Sequence, residues 1–201
     1  GTVLWAKTFI NSGFQNTTRI KEFPNGDILM GGESGGDIVL LKLTSNGNLI
    51  WSVQVGNQYQ NSLSDVDLYS SDIMICGFTN ALPGAGFVGR ISANGSFVWA
   101  SEMGNFDGRC EPSAIVKTPD QKFVITGTQW DTAIGGFCPF LKKFDAFGSE
   151  DWHVFHGFGS GTRIAGADIV INPNSTFFVG CREIGLIFQT DQFGSTGCME
   201  M

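Results

Sequence analysis

Five times along this chain of 201 residues a glycine is followed four positions later by a large side chain of the kind usually buried: Gly1 to Trp5, Gly47 to Trp51, Gly95 to Trp99, Gly148 to Trp152 and Gly194 to Cys198. Successive members of the second column lie 46, 48, 53 and 46 residues apart. A period of that length marks a propeller blade or a unit of an array, where each unit is too small to bury its own faces and buries them on its neighbours. What this chain can build is therefore a stack of like units.

Lining up the copies exposes four strands per unit. Strand A reads TRIKEF from Thr18, SDVDLY from Ser64, SAIVKT from Ser113 and GADIVI from Gly166, each running into a turn rich in Pro, Asn, Ser, Asp or Gly. Strand B follows as an apolar, β-prone run closed by Gly32, Gly77, Gly127 or Gly180. Strand C starts near Asp37, Gly86, Pro139 and Gly185, and places Lys42, Arg90, Lys143 and Gln189 in one register, their long stems covering apolar surface. A tight turn with Asn-Gly at Asn46 and Asn94, or Phe-Gly at Phe147 and Phe193, leads into strand D, which carries the tryptophan column.

The expected architecture is all-β: a propeller of four four-stranded antiparallel blades in a single domain, residues 1–201, with repeats of roughly 1–46, 47–94, 95–147 and 148–201. A closed ring and an open stack both satisfy the repeat, and closure is favoured because it hides the end faces. There are four copies of strands A, B and C but five of strand D, since GTVLWAKTF at the start has no A, B and C before it. A surplus N-terminal strand is a ready edge for another chain, which points to self-assembly or to a neighbouring subunit. The chain opens on Gly1 at a repeat boundary, the pattern of a processed form or of a segment of something longer.

The glycine-tryptophan spacing, the apolar strand ending in Gly and the aliphatic strand with a basic residue together resemble the SBBP family of β-propeller repeats, along essentially the whole chain. The resemblance implies a secreted or surface protein, and no reaction. A fainter similarity to the tryptophan-docking repeats of quinoprotein dehydrogenases lacks that family's longer motif, so no cofactor is carried over.

Charge excludes some partners. The net charge of −7 repels nucleic acid and anionic membrane surfaces, and no apolar run approaches the ~20 residues of a membrane-spanning helix. Catalytic constellations are thin. His153 and His156, the only histidines, point to opposite sides of a strand and cannot share a metal there. Asp65 and Asp168 hold one position on the second and fourth A strands, where Arg19 and Ala114 stand in the others; a ring would set the two carboxylates across its channel as weak cation ligands. No metal is assigned, and an enzyme with a channel site is the least favoured reading.

The remaining features suit an extracellular protein. Cys110 and Cys138, at one rim of the third unit, are the first choice for a disulfide among five cysteines. Asn16, Asn94 and Asn174 open N-glycosylation sequons, the last two on turns at one rim and Asn16 on a D-to-A connection at the other. Tyr59, Phe106 and Phe158 fall in D-to-A connections and Trp130 in a lengthened B-to-C loop, all at one rim, where aromatics suit a protein interface or a sugar platform. The expected function is a non-enzymatic extracellular building block of a filament, coat or adhesive assembly, with a glycan- or ligand-binding propeller as the alternative.

Overall fold

The computed structural model describes residues 1–9, 14–56, 59–80, 85–104, 109–132, 135–157 and 163–196; the side chains of 14–18 and all other residues lie outside the description. The described part is all-β. Four antiparallel meanders follow one another, each with its strands hydrogen-bonded in chain order. The first holds β1 (Phe14–Glu22), β2 (Ile28–Ser34), β3 (Asp37–Leu43) and β4 (Leu49–Val55). The second holds β5 (Asn61–Tyr69), β6 (Asp72–Thr79), β7 (Ala85–Ile91) and β8 (Phe97–Glu102). The third holds β9 (Cys110–Lys117), β10 (Phe123–Asp131), β11 (Gly136–Phe144) and β12 (Glu150–Phe155). The fourth has three described strands, β13 (Gly166–Ile171), β14 (Phe177–Cys181) and β15 (Ile187–Thr190). The strand expected from Thr196 with Cys198 falls in 197–201, outside the described residues.

The core lies between sheets, as the repeat demands. Leu29 and Leu40 of the first sheet meet Val66, Ile73, Ile75 and Ile91 of the second. Met74, Cys76 and Val88 on the second sheet's other side meet Ile115, Phe123, Ile125 and Phe144 of the third. Val124 and Leu141 of the third meet Ile169, Phe177, Val179 and Phe188 of the fourth. Because side chains alternate along a strand, β6 and β10 feed one cluster with odd positions and the next with even ones, and so are apolar on both faces.

The glycine and tryptophan columns form a latch, though not within one G-x-x-x-W segment. Each tryptophan lies against the glycine of the next unit: Trp5 on Gly47, Trp51 on Gly95, Trp99 on Gly148 and Trp152 on Gly194. These glycines have φ between 73 and 89°, which other residues rarely adopt, and any Cβ there would come within 2.8 to 3.1 Å of the indole. The indole N–H of Trp5, Trp51 and Trp99 donates to the carbonyl of Ser45, Ala93 and Ala146 in the same turns. The repeat period thus records contact between successive sheets. Arg90, in the basic register of strand C, adds a bond from its Nη1 to the Ala146 carbonyl at 3.0 Å while its other nitrogens hold Asp72.

Several expectations change. Residues 1–9 form no strand; Trp5 and Lys7, bonded to Ser45 and Asn48, dock them on the first sheet instead. Three sheets have four described strands and the fourth has three, and no closed ring is formed among the described residues. The B strands do not stop at their glycines. Gly32, Gly77 and Gly127 sit inside them, opposite a β-bulge in strand A that leaves Thr18, Ser64 and Ser113 without cross-strand partners. A Cβ at Gly77 would meet the Ser62 carbonyl at 2.1 Å, and one at Gly127 the Glu111 carbonyl at 2.2 Å, so these two sheets need glycine there. In the fourth sheet Cys181, not Gly180, stands at this position, opposite Gly166.

Candidate functional site

The A strands lie side by side and carry a ladder of polar contacts between sheets. Arg19 Nε donates to Asp65 Oδ1 at 2.8 Å, and Asp65 Oδ2 accepts the backbone N–H of Ile115 at 3.0 Å. Below it Lys21 pairs with Asp67 at 3.4 Å, and Asp67 Oδ2 accepts the N–H of Lys117 at 2.7 Å. Asp65 and Arg19 are thus brought together, while Asp168, one A strand further on than β9, caps the N–H of its own neighbour Ile169. No group of three or more His, Cys, Asp or Glu among the described residues is placed to hold a cation.

At the head of this ladder opens a cleft of about 430 Å³ whose walls include Arg19, Arg109, Arg182 and Glu111. Glu111 is held by Arg109 Nε at 2.7 Å and by Arg163 Nη2 at 3.3 Å. The guanidinium of Arg109 stacks over Phe78, and that of Arg163 over Phe137. Four of the chain's five arginines therefore gather at one end of the A strands. Sequence reasoning passed over Arg109, Arg163 and Arg182. The available signal was their position, each next to the start of an A strand or the end of a B strand, in a chain with so few arginines.

The aromatic rim is only partly assembled. Trp130 is not in a loop: β10 and β11 pair as far as Asp131 and Gly136, which makes Trp130 a strand residue packed edge-on against Phe137 at 5.1 Å. Its backbone N–H donates to the Arg109 carbonyl at 3.1 Å, which sets it beside the arginine cluster. Tyr59, half exposed, belongs to the connection before β5, and its carbonyl accepts from Asn61. Phe106 and Phe158 lie outside the described residues.

Cys110 and Cys138 are free, buried thiols rather than a disulfide. Both face the same residue: Gln129 on the middle strand pairs with Cys110 on one side and Cys138 on the other. That puts the two cysteines two strand spacings apart, about 10 Å, beyond the ~7 Å limit for a bridge. Burial pushes Cys110 up to about 12 and Cys138 up to about 11, so neither is a thiolate near neutral pH. Burial likewise raises Cys76, with Asp65 adding to it, and Cys181, to about 11.

The histidines are separated as expected. His153 is exposed with Nδ1 2.6 Å from Glu150 Oε1, while His156 is buried against Phe188 at 4.7 Å and burial lowers it from 6.5 to about 4. Asn94 and Asn174 are exposed on hairpin turns. Asn16 is not on a connection: β1 begins at Phe14 because it pairs with the whole of β2, and Asn16 lies opposite Glu33.

No family model and no curated protein sequence matches the chain. Its fold is similar to solved structures. A Dyadobacter fermentans protein of unknown function superposes with a TM-score of 0.57 at 12% identity, over 92% of this chain and 68% of its own. An endo-arabinase from Bacteroides thetaiotaomicron gives 0.50 at 9% identity, over 90% and 76%. At such identities the likeness is one of fold alone.

Proposed function

We propose that the chain is a propeller-type interaction module: its sheets are blades, and it works without catalysis, by contact with protein neighbours in an extracellular assembly. The observation that carries the reading is the state of its two end faces. Ile20, 66% exposed, holds the position of Val66, Ile115 and Ile169, all buried at junctions. At the other end Phe178 and Ile187, 37% and 71% exposed, hold positions filled by buried Val124 and Leu141 in the third sheet. Apolar faces shaped for a like sheet are docking surfaces, and a second copy supplies the complement of each. The SBBP resemblance and the exposed sequon turns at Asn94 and Asn174 support a surface setting.

Sedimentation and negative-stain imaging test this. Concentration-dependent rings or fibres that Phe178→Asp abolishes are expected. A monodisperse monomer whose end faces close on each other would overturn it.

A second reading, binding of a small ligand or glycan at the strand-head rim, is favoured by the arginine-lined cleft beside Trp130.

A further inference from the structure

The cleft at the head of the A strands is unusual in its charge. The chain carries −7 overall, yet three arginines and one carboxylate line this opening. Glu111 already shows what the cluster does with a carboxylate, since guanidinium groups of Arg109 and Arg163 close on its two oxygens. The other acids nearby are engaged: Asp65 with Arg19 and the Ile115 amide, Glu33 with the Ser62 hydroxyl, and Glu183 with the Ala165 amide. Arg182 is different. It is exposed, lines the cleft, and forms no ion pair with any described residue.

The rest of the lining fits a hydroxylated ring. Ser62, Ser64 and Ser113 bring hydroxyl groups, and Leu63, Phe78 and Pro112 supply apolar wall. Two of the serines are the unpaired residues of the A-strand bulges, and a bulge turns its extra residue out of the ladder. The bulges of the second and third sheets therefore present small hydroxyl side chains to the same opening. The volume of about 430 Å³ is in the range of small-molecule sites.

We propose that this cleft binds a sugar acid. Its carboxylate takes the fork of Arg182, its hydroxyls bond the serines, and its C–H face lies on the wall of Phe78 and Pro112. A planar guanidinium recognises a planar carboxylate through two parallel bonds, which a neutral sugar cannot provide. This rests on the second reading above, that the rim binds a ligand, and names the ligand's class.

Calorimetric titration with galacturonate and glucuronate, their neutral parents galactose and glucose, and inorganic phosphate tests it. Uronates are expected to bind, with affinity about tenfold weaker in Arg182→Ala and for the neutral sugars, the loss of one charge-assisted contact. The exposed position of Arg182 leaves the melting temperature of that variant unchanged, and Ser113→Ala should weaken uronate binding less. Neutral sugars binding as well as uronates, with Arg182→Ala unaffected, would sink the sugar-acid assignment and leave the rim a ligand site. Phosphate binding as tightly as uronate would also overturn it, in favour of a general oxyanion site. Silence from every sugar would remove both the assignment and the reading beneath it.

Discussion

The face that the third sheet turns to the second and the face that the fourth sheet turns outward are made by the same kind of strand with opposite fates. Phe123 on β10 is fully buried, with Tyr69 edge-on at 5.7 Å. Phe178 on β14 leaves 37% of its surface exposed. A repeat writes an adhesive face into every copy, whether or not a neighbour is at hand, so the end copy shows what the junctions hide. The comparison predicts unequal costs. Phe123→Ala is expected to lose about 3–5 kcal/mol in urea unfolding, the usual penalty of a large core truncation. Phe178→Ala, measured where the protein is monomeric, should cost under about 1 kcal/mol. Equal costs would mean that the outer face is covered within one chain.

Two glycines sharpen the same contrast. Gly148 has φ of +89°, and a Cβ there would come within 2.9 Å of the Trp99 ring. Gly148→Ala therefore meets left-handed strain and an overpacked latch together, about 2–4 kcal/mol in thermal or chemical unfolding. Gly180 has nothing within 4 Å of its would-be Cβ, so Gly180→Ala should be neutral or slightly stabilising. A large cost at Gly180 would place a neighbour over the fourth sheet's outer face.

That fourth sheet is also where the sequence was least legible. The order of strands, the basic register of Lys42, Arg90, Lys143 and Gln189, and the equivalence of Arg19, Asp65, Ala114 and Asp168 all follow from period and alternation, and the pairing registers agree. Matching glycine to glycine fails for Gly180, because the bulge in β13 sets Cys181 opposite Gly166. A shift of one residue exchanges the faces, so Phe178 points outward and Val179 inward. The arginine cleft was hidden for another reason. Arg19, Arg109 and Arg182 come from three different units, and a site made by juxtaposed strand heads leaves no local motif. The Cys110–Cys138 bridge failed similarly, since nearness to one rim ignored the strand between them.

The two histidines oppose a dry site to a wet one within a few residues. Burial lowers His156 from 6.5 to about 4, so between those values the unfolded chain binds more protons than the folded one. Stability is then complete above pH 6.5 and falls as the pH drops towards 4, by on the order of 2 kcal/mol. Unfolding free energies across that window should flatten in His156→Phe and keep their slope in His153→Phe. A slope that survives in His156→Phe would assign the acid sensitivity to other groups.

The smallest effect concerns the latch itself. Trp51 and Trp5 make the same bond, to the Ala93 carbonyl at 3.0 Å and the Ser45 carbonyl at 3.1 Å, but Trp51 is on a paired strand inside a junction and Trp5 is on a segment without one. A hydrogen bond shielded from water has no ready substitute, whereas water replaces one at the surface. Trp51→Phe should therefore cost about 1–1.5 kcal/mol and Trp5→Phe no more than about 0.5 kcal/mol in equilibrium unfolding of the dilute monomer. If Trp5 costs as much as Trp51, the first nine residues are held as firmly as an internal strand, and the first sheet's outward face is already closed.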